Sequence, residues 1–286
     1  MELTKNFIKT KQPCADGFRW FLKHCAKGAD YQPLLDALVA AGRVSDACWL
    51  LAQFGPTSDV LVLDMIDAEA VVFAGSVQVR GNIDVATVLA AGGGIRAGGG
   101  LRAGESLASG GEIRAGGAIR SGGSVDAGGS VAAQWGIDVA GDLRVRGNVR
   151  AGWDIACEGA ALVDGDCIAG QDIVLGGAAS FGKGIRAAGS ITGRAGIRAG
   201  HGIEGGGDIG CGQHLEAGWG IRAGGAMRAD GAIRAGESLH ADAIEAGKGY
   251  GVYAGLMVRQ DSWESSARVS SPGRPERLFS GFWVHA

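Results

Sequence analysis

Arginine, tryptophan and histidine are the chemistry-bearing residues that this 286-residue chain sets at regular intervals. In steps of eighteen, Arg96, Arg114, Arg150, Arg186 and Arg222 fall on one register, with Ala132, Ile168, Glu204 and His240 filling the other steps. A column of guanidinium groups is chemistry for carboxylates or phosphates, because the planar fork pairs bidentately with either. Trp135 and Trp153 are also eighteen apart, as are His201 and Trp219, and Trp and Arg dominate binding hot spots. These nine residues are the candidate partner-binding set. The plainer alternative is a solvated surface whose charges pair with Glu112, Asp166 and Glu204. Arginines recur on other registers too, at Arg102, Arg120, Arg144, Arg198 and Arg234.

No catalytic constellation is legible. Of the five histidines, His24 and His285 lie towards the ends, while His201, His214 and His240 sit inside short repeats with no projecting loop. The six cysteines form no C-x-x-C pair, and Cys157, Cys167 and Cys211 fall on apolar positions that read as small core residues. G-x-G-x-x-G can be matched repeatedly, but only because glycine itself recurs, and the strand-to-helix context of a nucleotide site is missing. No catalytic residue, metal ligand or cofactor is therefore expected. A net charge of −3 supplies no global basic field, so another protein is the expected partner and nucleic acid the less favoured one. A homo-oligomer is compatible with the pattern. The start lacks the apolar run of a signal peptide, no stretch of eighteen apolar residues occurs, and the cysteines suggest a reduced environment. A cytoplasmic protein away from membranes is the expectation.

The elements that must position these residues are set by a six-residue phrase running from Val77 to Leu239. Large aliphatics recur at Val77, Ile83, Leu89, Ile95, Leu101, Leu107, Ile113 and onward. Six is not a multiple of 3.6, so no helix can carry the pattern. Two residues after each aliphatic comes a second small or apolar residue, as at Ala97 after Ile95, and the residue between is often Arg or Asp. Alternation across a strand puts the first and third on one face. Each hexad is thus a very short strand with a buried side, followed by glycines suited to the positive φ of a corner. Such strands bury that side only by stacking. Three hexads per coil predict a mainly β fold, a single-stranded triangular parallel β-helix with about eighteen residues per rung. A right-handed coil is favoured. Where Ala161 and Ala179 are undersized, Phe181 is oversized, as a packed core requires.

The ends differ in composition. Residues 1–56 predict a small helical N-terminal cap: one helix from Asp16, a second capped by Asp30 and stopping at Gly42, and a third capped by Ser45 and ended by Gly55-Pro56. Residues 57–247 form the β-helix, with Asp59–Gly75 as its first coil. Residues 248–286 hold two apolar stretches around a polar Ser/Pro loop and predict a C-terminal capping hairpin. Both ends read as covered, against pairing with further molecules.

The hexads resemble two families. The texture of Gly141-Asp142-Leu143-Arg144-Val145-Arg146-Gly147-Asn148-Val149-Arg150-Ala151 looks like that of bactofilins, polymer-forming bacterial β-helices, a resemblance that implies self-assembly into a structural protein. The repeat also resembles, less well, that of hexapeptide-repeat acyltransferases, which implies a histidine base on a projecting loop and an acyl-carrier groove between subunits. In that family the small residue precedes the aliphatic by two, whereas here Ala97 follows Ile95. The leading expectation is a non-enzymatic β-solenoid that engages a macromolecular partner through its Arg/Trp-decorated surface, as an inhibitor, an immunity-type protein or an assembly scaffold.

Overall fold

The computed structural model describes residues 2–25 and 28–286. Three parallel sheets of 11, 12 and 13 strands run the length of the solenoid, each strand pairing with the strands one coil before and one coil after. The coil makes about twelve turns of roughly eighteen residues, so at about 4.8 Å per rung the rod is on the order of 58 Å long. The first coil is Val60–Leu63 on the first face, Ile66–Ala68 on the second and Val71–Phe73 on the third. Register then holds at eighteen: Ile95 lies under Ile113, Leu101 under Ile119, and Leu107 under Val125.

The inward residues close the core as the period demands. Ile95, Ile113, Ile119, Val131 and Ile203 are at most 1 % exposed, and each buried aliphatic contributes roughly 1.5–3 kcal/mol of transfer free energy. Ala161 stacks on Ala179, and Phe181, two residues on, fills the volume they leave.

Repeat glycines work differently from the expected positive-φ corners. The glycines with positive φ among the described residues are Gly28, Gly42, Gly55, Gly249, Gly255 and Gly281, all outside the regular rungs. A Cβ on Gly98 would instead sit 1.9 Å from the Arg80 carbonyl oxygen one coil below. The corners need glycine because consecutive rungs approach there too closely for a side chain. Just before each strand the same corners carry a second device. Asn148 Oδ1 accepts the Asp166 N–H at 2.9 Å, and Asp166 Oδ1 in turn accepts the Gly184 N–H at 3.0 Å. Asp154 and Asp208 do the same for Asp172 and Ala226. These donors lie outside the sheet ladders and would otherwise need water.

The N-terminal region has four helices: α1 (Lys5–Thr10), α2 (Ala15–His24), α3 (Tyr31–Ala40) and α4 (Val44–Phe54). Asp30 does occupy the N-cap of α3, though its side chain makes no capping bond. Ser45 lies inside α4, whose N-cap is Arg43, paired with Asp46 at 2.5 Å. The helices do not sit squarely on the end of the rod. Their core of Leu34, Leu35, Leu38 and Leu50 packs on Val72, Ala74 and Ala90, so they lie against the third face. Gln32 of α3 also covers that sheet's edge: its Nε2 donates to the Val72 carbonyl at 3.1 Å and its Oε1 accepts the Ala74 N–H at 2.8 Å. Among the described residues no strand pairs with the outer edges of Val60–Leu63 and Ile66–Ala68, and Val60, Val62, Leu63 and Met65 are exposed.

At the other end the expected hairpin is absent. Val252–Tyr253 pairs parallel with Ile233–Arg234 and with Leu278–Ser280, while Arg268–Ser270 pairs parallel with Leu239–His240 and Phe282–Val284. The two apolar stretches therefore extend the coil instead of pairing with each other. Longer connections bring Val252 and Val269 back into phase with the faces, both buried to 1 % or less. The connection between Val252 and Val269 holds a 3-10 turn, Gln260–Ser262, that runs into one turn of α-helix, α5 (Trp263–Ser266).

Candidate partner-binding face

The outward residue of each first-face strand stacks directly on its counterpart one coil on: Arg96 on Arg114, Arg114 on Ala132, Ala132 on Arg150, Arg150 on Ile168, Ile168 on Arg186, and Glu204 on Arg222. All five candidate arginines thus share one face of the rod, between Val62 and Gln78 at one end and His240 at the other. Their ion pairs are few. Arg96 and Arg114 share the single carboxylate of Glu112 at 3.2 and 2.9 Å, and Arg186 pairs with Glu204 at 2.8 Å. Arg150 and Arg222 form no ion pair among the described residues.

The aromatic pairs stand on the corners that border this face. Trp135 and Trp153 stack at 6.1 Å and 16° on the corner leading to the second face. His201 and Trp219 stack at 4.0 Å and 4° on the corner arriving from the third. The three indoles are 57 %, 57 % and 52 % exposed, which is uncommon for so much apolar area without a partner.

Two large shallow hollows divide the face, with a smaller one of about 340 Å³ beside Arg186, Glu204 and Arg222. One, of about 860 Å³, is lined by Arg96, Arg114, Ala132, Arg150 and Ile168. The other, of about 830 Å³, is lined by Arg186, His201, Glu204, Trp219, Arg222 and His240, with Ser265 of α5 and Arg268 as a wall. The structure so brings His201 and Trp219 together with Arg186 and Arg222, and leaves Trp135 and Trp153 on the neighbouring corner, outside both hollows. Arg268 was not legible as a contributor, because the loop that carries it has left the eighteen-residue period. Its register partner is Phe282, and only the fold brings it to the hollow that Arg222 also lines.

The three cysteines of the solenoid are placed as core, while Cys14 is exposed and Cys25 and Cys48 are half-buried in the helical region. Cys157, Cys167 and Cys211 are buried, and burial pushes the Cys167 thiol up to about 12, away from thiolate chemistry near neutrality. Among the described residues no group of three His, Cys, Asp or Glu side chains could hold a metal ion. No helix among them is long and apolar enough to cross a membrane.

With this geometry in view, the comparisons add one finding. Residues 1–54 match the family model described as YdhT N-terminal domain. The match ends where α4 ends, at Phe54, and so concerns the helical region and not the solenoid that carries the arginines. No curated protein and no solved structure matches the chain. The bactofilin and acyltransferase resemblances therefore rest on the texture of the hexads alone.

Proposed function

We propose that the chain is a non-enzymatic binding protein whose rigid solenoid engages a macromolecular partner, most simply another protein, through the first face. One observation carries this reading: five arginines on a single straight column, two of them without an ion pair among the described residues and two sharing one carboxylate, bordered by exposed indoles. A stacked β-solenoid supplies a template that needs no reorganisation on binding, which lowers the ordering cost of association. An inhibitory, immunity-type or scaffolding role in a cytoplasmic setting fits such a surface. The test is affinity capture from the native host with wild type, with Arg96, Arg114, Arg150, Arg186 and Arg222 changed to Ser, and with Arg102 and Arg120 of the second face changed to Ser. Partners lost only with the first-face variant support the reading. Partners retained by that variant contradict it.

Self-assembly is a second reading, favoured by the open first-rung edge. Val60–Leu63 has a strand partner on one side only, and exposed apolar edge strands invite pairing with another chain. A single discrete monomer by light scattering at every concentration would eliminate this alternative.

A further inference from the structure

The first face is not a uniform stripe of charge. Ala132 interrupts it with a side chain too short to reach its neighbours, directly between Arg114 and Arg150 in the parallel register. Those two arginines are two rungs apart, about 10 Å along the axis, so the missing side chain opens a notch flanked by guanidinium groups. The lining of this hollow contains Arg96, Arg114 and Arg150 and no carboxylate. Glu112 engages Arg114 from the corner, leaving Arg150 as the cation without an ion pair among the described residues. One rung beyond Arg150 the column turns apolar at Ile168, half-buried and shared with the second hollow. A guanidinium-flanked notch beside an aliphatic step is a pattern with a specific complement.

We infer that the notch at Ala132 is a recognition site for a carboxylate side chain of an acidic polypeptide segment, with an apolar residue of that segment seated on Ile168. The inference rests on the first face being the partner-binding surface. A carboxylate is the right size for the space that one truncated side chain leaves, and Arg150 presents paired donors to it from one side, with Arg114, already engaged by Glu112, on the other. A polyphosphate strand fits worse. Binding nucleic acid calls for an extended basic footprint, and this column is broken by Ile168 and Glu204 in a chain of net charge −3. The carboxylates of Glu112, Asp166 and Glu204 along the same face would oppose a continuous phosphate backbone, whereas a short segment with a single carboxylate at the notch stays clear of Glu204.

The test uses the full chain and fluorescence anisotropy with three labelled probes: a short peptide alternating Glu and Leu, its Lys and Leu counterpart, and oligo-dT of matching length. Wild type should bind the acidic peptide and not the basic one. Ala132→Trp fills the notch from the solvent side without touching the core, and Arg150→Glu reverses its free cation. Each should weaken the acidic peptide by about tenfold, the size expected for losing one charged hydrogen-bonded contact. Arg120→Glu on the second face should change it less than about twofold. Acidic-peptide binding that is absent, or indifferent to both notch substitutions, overturns the inference. Tighter binding of oligo-dT, with the same sensitivity to Ala132→Trp, overturns it in favour of nucleic acid. Either failure is separable from the broader reading, because capture of host partners through the first face needs only the face and not the notch.

Discussion

The first and second faces hang on the same backbone, in the same register and with the same inward Ile, Val, Leu and Ala residues, yet they treat charge differently. On the second face every arginine of the outward column has a carboxylate one rung away: Arg102 against Asp84, Arg120 against Asp138, and Arg228 against Glu245. Two of these pairs close, at 2.8 and 3.0 Å. On the first face Arg96, Arg114 and Arg150 have no carboxylate register neighbour; Arg96 stacks on Arg114 there just as Arg102 stacks on Arg120 on the second face. Opposite charges on adjacent strands are mildly stabilising and like charges mildly destabilising. Cross-strand register therefore gives every second-face arginine a carboxylate neighbour, whereas on the first face Arg96 and Arg114 share Glu112 and Arg150 has no ion pair among the described residues, which is why the first is read as functional.

The largest expected effect concerns the backbone that both faces share. Gly98→Ala would drive a Cβ to 1.9 Å from the Arg80 carbonyl and should cost about 3 kcal/mol, the upper end for overpacking. Gly100→Ala, two residues on, meets its nearest atom at 3.6 Å and should stay within about 0.5 kcal/mol. Urea denaturation of both variants measures the contrast. Equal effects would mean the rungs are not stacked as described, and the comparison of faces would lose its basis.

Charge reversal sharpens the comparison itself. Arg114→Glu with Arg150→Glu should weaken a captured partner by about a hundredfold, from two lost charged contacts. The matching pair Arg102→Glu and Arg120→Glu should cost less than about twofold. Surface plasmon resonance with the purified partner reads both. Stability should fall by similarly small amounts in both, since each variant breaks one exposed ion pair, Arg114 with Glu112 or Arg102 with Asp84.

Two smaller effects probe the features that differ from face to face along the rod. Tyr31 ties the start of α3 to the end of α4 through a bond from its hydroxyl to the Gly55 carbonyl at 3.1 Å, and burial pushes its phenol up to about 12. Unfolded tyrosine titrates near 10, so this contribution is complete below about pH 10 and is lost as pH rises towards 12. Tyr31→Phe should cost about 1 kcal/mol near neutrality and should flatten the alkaline fall in melting temperature. Asn148→Ala removes the acceptor for the Asp166 N–H at the corner before the first face and should cost roughly 1 kcal/mol, measurable by the same melts.

The regular part of the solenoid was legible because each residue repeats its neighbour's environment: Ile95, Ile113 and Ile203 are inward wherever the count of six places them. The arginine register was legible for the same reason. Legibility stops where the period does. Arg268 reaches the first face only through a loop of irregular length, and the last apolar stretches pair with the rung below because of connections whose lengths carry no repeat. The seating of the helices on the third face depends on Gln32 meeting the edge of Val72 and Ala74, a long-range contact without a local signal. The repeat glycines were found for the wrong physical reason, since a close approach between rungs and a positive φ ask for the same residue.

Hydroxyl-radical footprinting of the chain with its captured partner tests the central claim most directly, because each face carries an exposed or half-buried reporter. Trp135, Trp153, Trp219 and Ile168 report on the first face and its corners, Val174 on the second and Leu162 on the third. Protection should fall on Ile168 and the three tryptophans while Val174 and Leu162 oxidise as in the free protein. Protection confined to Val174 or Leu162, with Ile168 and Trp219 unchanged, would contradict the assignment of the first face as the binding surface.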